Sequence, residues 1–355
     1  MARWLVTGGC GFIGSHLTAS LIASGHEVRV LDDLSSGQAD NLAPGAQLVI
    51  DDVADPVAVR RAMRGVDGCF HLAAIASVER CNEAWIASHN VNLTGMIAVL
   101  DAARQESQRD RNRRPVGVVY ASSAAVYGVP GSIPLTEDSA LRPLSAYGAD
   151  KLGCELHARV AAEVHGVPNV GLRFFNVFGP RQDPRSPYSG VISIFCERLV
   201  RGATISMNGD GGQTRDFIYV TDVVAALTAA MRTASLAAPV FNVCTGQPTS
   251  LLQLAACIGR LCGQPPVIEY RGSRLGDIRH SVGSPDYARD ALRLDASIGL
   301  EAGLLNVVAW LKAGSPSLAP QPIQRPRTAA INNHKTNDMP TTISAETRQV
   351  QRVAI

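Results

Sequence analysis

An apolar run that enters a glycine cluster and leaves it as an amphipathic stretch is what most narrows the folds open to this chain. Arg3-Trp4-Leu5-Val6-Thr7 leads into Gly8-Gly9-Cys10-Gly11-Phe12-Ile13-Gly14, and the amphipathic stretch continues to Ala23, closed by Gly25. The order reads as strand, tight turn and helix. Gly8, Gly11 and Gly14 have the spacing Gly-x-x-Gly-x-x-Gly. Glycine permits the turn, lets backbone N–H groups approach a pyrophosphate, and packs helix against strand. A second apolar run, 27–31, ends in Asp32, 18 residues after Gly14. A carboxylate at that strand tip suits the diol of an adenosine ribose and repels a 2′-phosphate, so the expected dinucleotide is NAD rather than NADP. A merely glycine-rich surface turn would leave strand, helix and acid unexplained.

The alternation continues. Strand-like runs at 47–50, 67–72, 116–121 and 170–175 are separated by helical patterns at 56–64, 83–105 and 146–165. This implies an α/β fold, a Rossmann-type doubly wound parallel sheet that binds ligands at the strands' carboxyl ends. After Asn176 the texture turns to proline, glycine and arginine, and a smaller, mixed α/β substrate-binding sub-domain is expected there. The division is discontinuous: 1–176 and 217–246 for the dinucleotide, 177–216 and 247–313 for the substrate. Residues 314–355, rich in proline, threonine and asparagine, read as a disordered tail.

A chain of 355 residues with 46% hydrophobic content can bury a large core. Its net charge of +2 points to neither a nucleic-acid nor a membrane partner. No apolar run approaches the ~18 residues of a membrane span. The start passes straight into a strand without a leader, so a cytoplasmic location is expected. The eight cysteines form no Cys-x-x-Cys pair and sit mostly in apolar runs, so they read as buried free thiols rather than metal ligands or disulfides.

Lys151 is the only lysine before Lys312, and it stands four places after Tyr147. Arginine supplies all but three of the 33 basic residues, so a lysine at this place is there for its chemistry. Positions i and i+4 share one face of a helix, where a compact ammonium can stabilise a phenolate. A phenol ionises near about pH 10, and an adjacent cation lowers that value. Ser122-Ser123 follows the 116–121 strand, where ligands bind. Beside a nicotinamide, Tyr147 can take the proton of a secondary alcohol while hydride leaves its carbon. Lys151 can then hydrogen-bond the nicotinamide ribose and Ser123 the alcohol oxygen. A turn-capping hydroxyl is the other reading of Ser123.

Five motifs occur in order: Thr7-Gly8-x-x-Gly11-Phe12-Ile13-Gly14, His71-Leu72-Ala73-Ala74, Ser122-Ser123-x-x-Val126-Tyr127-Gly128, Tyr147-x-x-x-Lys151 and Arg173-x-Phe175-Asn176-Val177-x-Gly179-Pro180. With them the chain, over about residues 2–312, resembles the extended short-chain dehydrogenase/reductase family, and within it the UDP-sugar 4-epimerases. The related 4,6-dehydratases carry an Asp-Glu pair just before Val-Tyr-Gly, and the UDP-glucuronate decarboxylases a glutamate; Ala124-Ala125 stands there instead. The resemblance implies a concealed redox cycle. NAD oxidises the sugar C4 hydroxyl, the 4-keto sugar swings about its diphosphate, and hydride returns to the opposite face.

The resemblance also implies site residues. Those toward NAD are Gly8, Gly11, Phe12, Ile13, Gly14, Asp32, Ser36, Gly37, Asp52, Val53, Leu72, Ala73, Ala74, Tyr147, Lys151 and Phe174. Those toward the UDP-sugar are Ser77, Ser123, Asn176, Gly190, Val191, Ser206, Arg215, Arg274, Asp277 and Ser281. Arg215 and Arg274 would meet phosphates, Asp277 the uridine ribose, Asn176 the diphosphate side, and Gly190-Val191 the uracil. Ser281 stands where epimerases restricted to UDP-glucose and UDP-galactose tend to carry tyrosine, so it leaves room for an N-acetyl group; a serine without consequence is the alternative. Val282-Gly283-Ser284-Pro285-Asp286 departs from the family's pattern at that pocket edge. Asn92 reads as either structural or a cofactor contact. Other readings are a UDP-glucuronate 4-epimerase, a 5,6-dehydratase, a 4-keto reductase, or a non-catalytic NAD sensor, which would be expected to lack the Tyr147/Lys151 pair. A homodimer through the 83–105 and 146–165 helices is implied as well.

Overall fold

Strand β1 (Arg3–Thr7) lies inside a parallel sheet because its side chains alternate between two apolar cores. Leu5 packs into one core and Val6 into the other, as do Cys69 and Phe70, and Val118 and Val119. Strands buried on both faces belong inside a helix-covered parallel sheet. The computed structural model describes residues 1–110, 114–186, 189–272, 278–294 and 296–314; the expected tail lies outside them.

The other strands are β2 (Glu27–Asp32), β3 (Gln47–Ile50), β4 (Gly68–His71), β5 (Gly117–Ser123), β6 (Asn169–Phe174), β7 (Asn176–Phe178), β8 (Ile205–Asn208), β9 (Thr214–Tyr219), β10 (Val240–Val243), β11 (Pro248–Ser250), β12 (Ile268–Arg271) and β13 (His280–Ser281). Seven of them run in the order β10-β6-β5-β4-β1-β2-β3, all pairs parallel. The order reverses between β1 and β4, where a doubly wound sheet opens a crevice for ligand. Thr7 pairs with Leu31 on one side and His71 on the other, which sets the three carboxyl ends level.

A smaller part is built around β9, which pairs with β7, β11 and β13, while β8 pairs with β12. Phe178, Phe195, Met207, Phe217 and Leu304 lie in its separate core. Phe217 thus belongs to the small sheet. The chain rejoins the large one with the Val220–Thr233 helix and β10.

The Ala146–His165 helix has the expected bounds, and local chemistry explains both. The Ser145 hydroxyl accepts from the Gly148 N–H at its start, and Gly166 takes the left-handed conformation at its end. The single helix expected over 83–105 is corrected. Helices Val78–Glu83 and Trp85–His89 come first, then a π turn, Asn90–Thr94, then Gly95–Arg109. The reason is tertiary: the Asn92 amide accepts from the Ile75 N–H at 2.8 Å and donates to its carbonyl at 3.2 Å. Its own carbonyl accepts from the Cys154 thiol. This gives Asn92 the structural role of its two readings.

Among the described residues, no helix is long and apolar enough to cross a membrane. All eight cysteines are free thiols, seven of them buried.

Candidate active site

At the crevice, Gly8 has φ +70° and a Cβ there would lie 2.7 Å from the Ala73 nitrogen, while one on Gly14 would lie 2.1 Å from the Gly8 carbonyl oxygen. Only glycine fits either place, so the spacing seen in the sequence is a steric requirement. Asp32 ties this turn down. Its carboxylate accepts from the Cys10 N–H and the Leu34 N–H, each at 2.9 Å. Burial raises the pKa of Asp32. Burial, and then the Asp32 charge, pushes the neighbouring Cys10 thiol up to about 12, so it stays protonated.

A cavity of about 340 Å³ opens at this edge. Of the predicted residues it is lined by Gly8, Phe12, Ile13, Gly14, Ser36, Leu72, Ala74, Ser123, Tyr147, Lys151, Phe174, Asn176 and Gly190. A smaller one of about 180 Å³ shares Ser36 and Ala74 with it and adds Asp32, Asp52, Val53 and Ala73. Gly11 caps the Phe12–Ala23 helix, and Gly37 packs against Asp32 and Cys10. Val191 follows Gly190 as the first residue of the Val191–Val200 helix. A steric cradle on the turn with a carboxylate at the β2 tip fits a dinucleotide.

The side chains expected to react, Ser123, Tyr147 and Lys151, line the larger cavity together. Lys151 is buried, donates to the Ala121 carbonyl at 2.9 Å, and its ammonium lies 5.8 Å from the Tyr147 ring centre. The Ser123 hydroxyl oxygen accepts from the Ala125 N–H at 3.1 Å, which leaves its own proton to donate. This bond is the turn-capping role, and it leaves the hydroxyl proton free for the alcohol oxygen expected of it. His71 bonds the Thr7 hydroxyl at 2.8 Å. Burial, with a smaller contribution from the Lys151 charge, pushes its imidazole down to about 3, so it is neutral.

Beneath this edge lies a buried polar network. Arg173 donates to Glu155 through two nitrogens at 2.9 and 2.8 Å. The Ser122 hydroxyl donates to the same carboxylate at 2.5 Å. Arg173 also donates to the Tyr127 hydroxyl at 2.8 Å, which donates onward to Asn242 at 2.6 Å. Glu155 stands one helical turn beyond Lys151, so the network fixes the rotation of the helix that carries Tyr147 and Lys151.

Among the described residues, the others expected lie outside these two cavities. Ser206 is on β8, its hydroxyl facing Glu269 at 3.5 Å, and it lines neither cavity. Ser77 caps the Val78–Glu83 helix by accepting from the Arg80 N–H, and it also lies off the cavity lining. Arg215 and Ser281 come together as register partners of β9 and β13, outside the residues that line the cavity. Arg274 and Asp277 lie outside the described residues.

The cavity is also lined by residues outside the expected set, among them Gln38, Asn41, Arg181, Gln182 and Asp183. The last three sit in the proline-, glycine- and arginine-rich stretch directly after Asn176, which was the available signal. Among the described residues, a buried Arg181 guanidinium nitrogen and the buried Gln182 carbonyl oxygen have no hydrogen-bond partner.

Comparison with known proteins agrees with this layout. Residues 4–244 match the family described as NAD dependent epimerase/dehydratase family. A UDP-glucose 4-epimerase of Mycolicibacterium smegmatis is 36% identical over 317 residues, covering 87% of this chain and 98% of the relative. The structure of a Thermus thermophilus UDP-glucose 4-epimerase in complex with NAD superposes with a TM-score of 0.80 at 34% identity, covering 88% of this chain and 99% of the other. A UDP-N-acetylglucosamine 4-epimerase of Methanobrevibacter ruminantium, in complex with UDP-N-acetylmuramic acid, gives 0.81 at 32% identity, covering 88% and 98%.

Proposed function

The chain belongs to the NAD-dependent epimerase/dehydratase family, and from that premise we propose that it interconverts UDP-sugars that differ at C4. The observation that carries this reading is the convergence of Ser123, Tyr147 and Lys151 on the cavity that holds the glycine turn. The Ala124–Val126 turn beside them offers no carboxylate for removing water or carbon dioxide. Among the described lining residues the one carboxylate is Asp183, which accepts from the Arg185 N–H at 2.9 Å.

NAD, when bound, supplies the acceptor and later the donor of the C4 hydride. Tyr147 takes the hydroxyl proton and returns it. Lys151, fixed by the Ala121 carbonyl, holds its ammonium 5.8 Å from the Tyr147 ring centre. Ser123 donates to the reacting oxygen. Return of hydride to the other face requires the sugar to turn, so the chain must grip UDP and hold the sugar loosely. We assign UDP to the smaller part, 177–219 and 247–313, and NAD to 1–176 with the segment 220–246 that returns to the large sheet. Leu156, Val160 and Val164, at a spacing of four, form an exposed apolar row on the Ala146–His165 helix, and Ile97 is exposed on Gly95–Arg109. That row supports a homodimer through these helices.

The β13–β9 pairing seats Ser281 beside Arg215, the expected phosphate ligand. A serine at this place leaves volume for an N-acetyl group, so UDP-GlcNAc and UDP-GalNAc are the proposed substrates alongside UDP-glucose. The test is to incubate the protein with UDP-GlcNAc and with UDP-glucose and resolve the 4-epimers by chromatography without added reductant. Ser281→Tyr should lower conversion of the N-acetyl sugars by roughly 10–200-fold and spare UDP-glucose. Equal loss of both would remove Ser281 from selectivity. Conversion of neither sugar by the unaltered chain would move the reading to UDP-glucuronate or to another nucleotide-sugar change.

A further inference from the structure

The glycine turn brings no side-chain cation to a dinucleotide. Residues 7–15 contain no lysine or arginine. His16 follows, and its Nε2 donates to the Pro180 carbonyl at 2.9 Å. Burial first, and the charge of Arg181 in smaller part, hold its pKa below the ordinary value. Among the described residues, Lys151 is the other cation on the cavity wall, and it is engaged with Ala121 and Tyr147. A diphosphate carries two negative charges, and backbone N–H groups alone leave them partly unbalanced.

Arg181 stands where a balancing cation is needed. The loop that carries it leaves β7 and is clamped against the Phe12–Ala23 helix by the His16–Pro180 bond. At Gly179 an added Cβ would lie 2.5 Å from Val220 and 3.5 Å from the Phe12 ring. Arg181 has φ +68°, a left-handed conformation that favours glycine, so the loop imposes a backbone that arginine does not prefer. Its side chain lines the same cavity as Gly8 and Gly14, and its buried Nη1 has no partner among the described residues. A buried guanidinium nitrogen left unpaired is costly unless a ligand completes it.

We propose that Arg181 is the cofactor-anchoring cation, paired with the diphosphate of NAD across the glycine turn. The assignment rests on the reading of this cavity as the NAD site. The cofactor's diphosphate is favoured over the substrate's because the loop is fastened to the helix that opens from the glycine turn.

Titration of NAD and of UDP, separately, into cofactor-stripped protein and its Arg181→Gln, Arg181→Gly and Arg181→Lys variants tests it. Arg181→Gly suits the left-handed backbone, so it separates loss of charge from loss of fold. The expected result is a Kd for NAD raised about 10–100-fold in the Gln and Gly variants, less in Lys, with the Kd for UDP unchanged. The variants should also purify with less bound NAD. An unchanged Kd for NAD overturns the proposal, and so does weakened UDP binding with NAD unaffected, which would give Arg181 to the substrate. An unaltered chain that binds no NAD would overturn the cofactor reading itself, before any variant is compared.

Discussion

Two arginine–carboxylate pairs, each joined by two hydrogen bonds, stand in the two parts of this molecule, and burial separates them. Arg173–Glu155, at 2.9 and 2.8 Å, has side chains 5% and 7% exposed under the carboxyl edge of the large sheet. Arg279–Asp210, at 2.6 and 2.8 Å, has side chains 55% and 64% exposed and joins the turn before β9 to the start of β13. In the first, water cannot replace either partner, so the charges must hold one another, and with them Ser122 and the helix of Tyr147 and Lys151. In the second, water competes for both ends and the pair contributes little. The proton transfer proposed for Tyr147 needs fixed atoms, and the buried pair lies on and beside the helix that carries it.

The largest effect should come from Glu155→Gln, which strands the Arg173 charge in the interior. A loss of about 3–5 kcal/mol in urea denaturation is expected. Replacing both partners, Glu155→Leu with Arg173→Met, should recover much of it. A loss no greater than that of an exposed pair would break the contrast.

An intermediate effect should come from acid, through His71 at the same buried edge. Its pKa is about 3 folded against 6.5 for the ordinary side chain. Between those values the unfolded chain binds the extra proton, so stability falls as pH falls through the window and is independent of this group above it. At pH 5 the deficit is about 2 kcal/mol. His71→Asn should flatten that limb in urea midpoints taken from pH 7 to pH 5. An unaltered slope would show that His71 does not set it.

The smallest effect is expected for Arg279→Ala, with a urea midpoint equal to that of the parent within error. A shift approaching that of Glu155→Gln would mean that the smaller part is as tightly determined as the larger.

What the chain states locally was legible without a structure. The glycine turn with Asp32, the Tyr147–Lys151 spacing and the helix from Ser145 to Gly166 are patterns of sterics, capping and period that act within a few residues. The alternating strands followed the same logic. Other features were settled only in three dimensions. The 83–105 pattern breaks because Asn92 reaches back to Ile75. Arg173 and Tyr127 were visible as motif residues, but their partners Glu155 and Asn242 were not, since Tyr127 and Asn242 are 115 positions apart. Arg181 carries no local sign of its left-handed backbone or of the cavity it faces. Elements followed from the sequence where their physics is short-range; tertiary structure broke the 83–105 helix and decided which buried charges found partners, because desolvation depends on what the rest of the chain brings near.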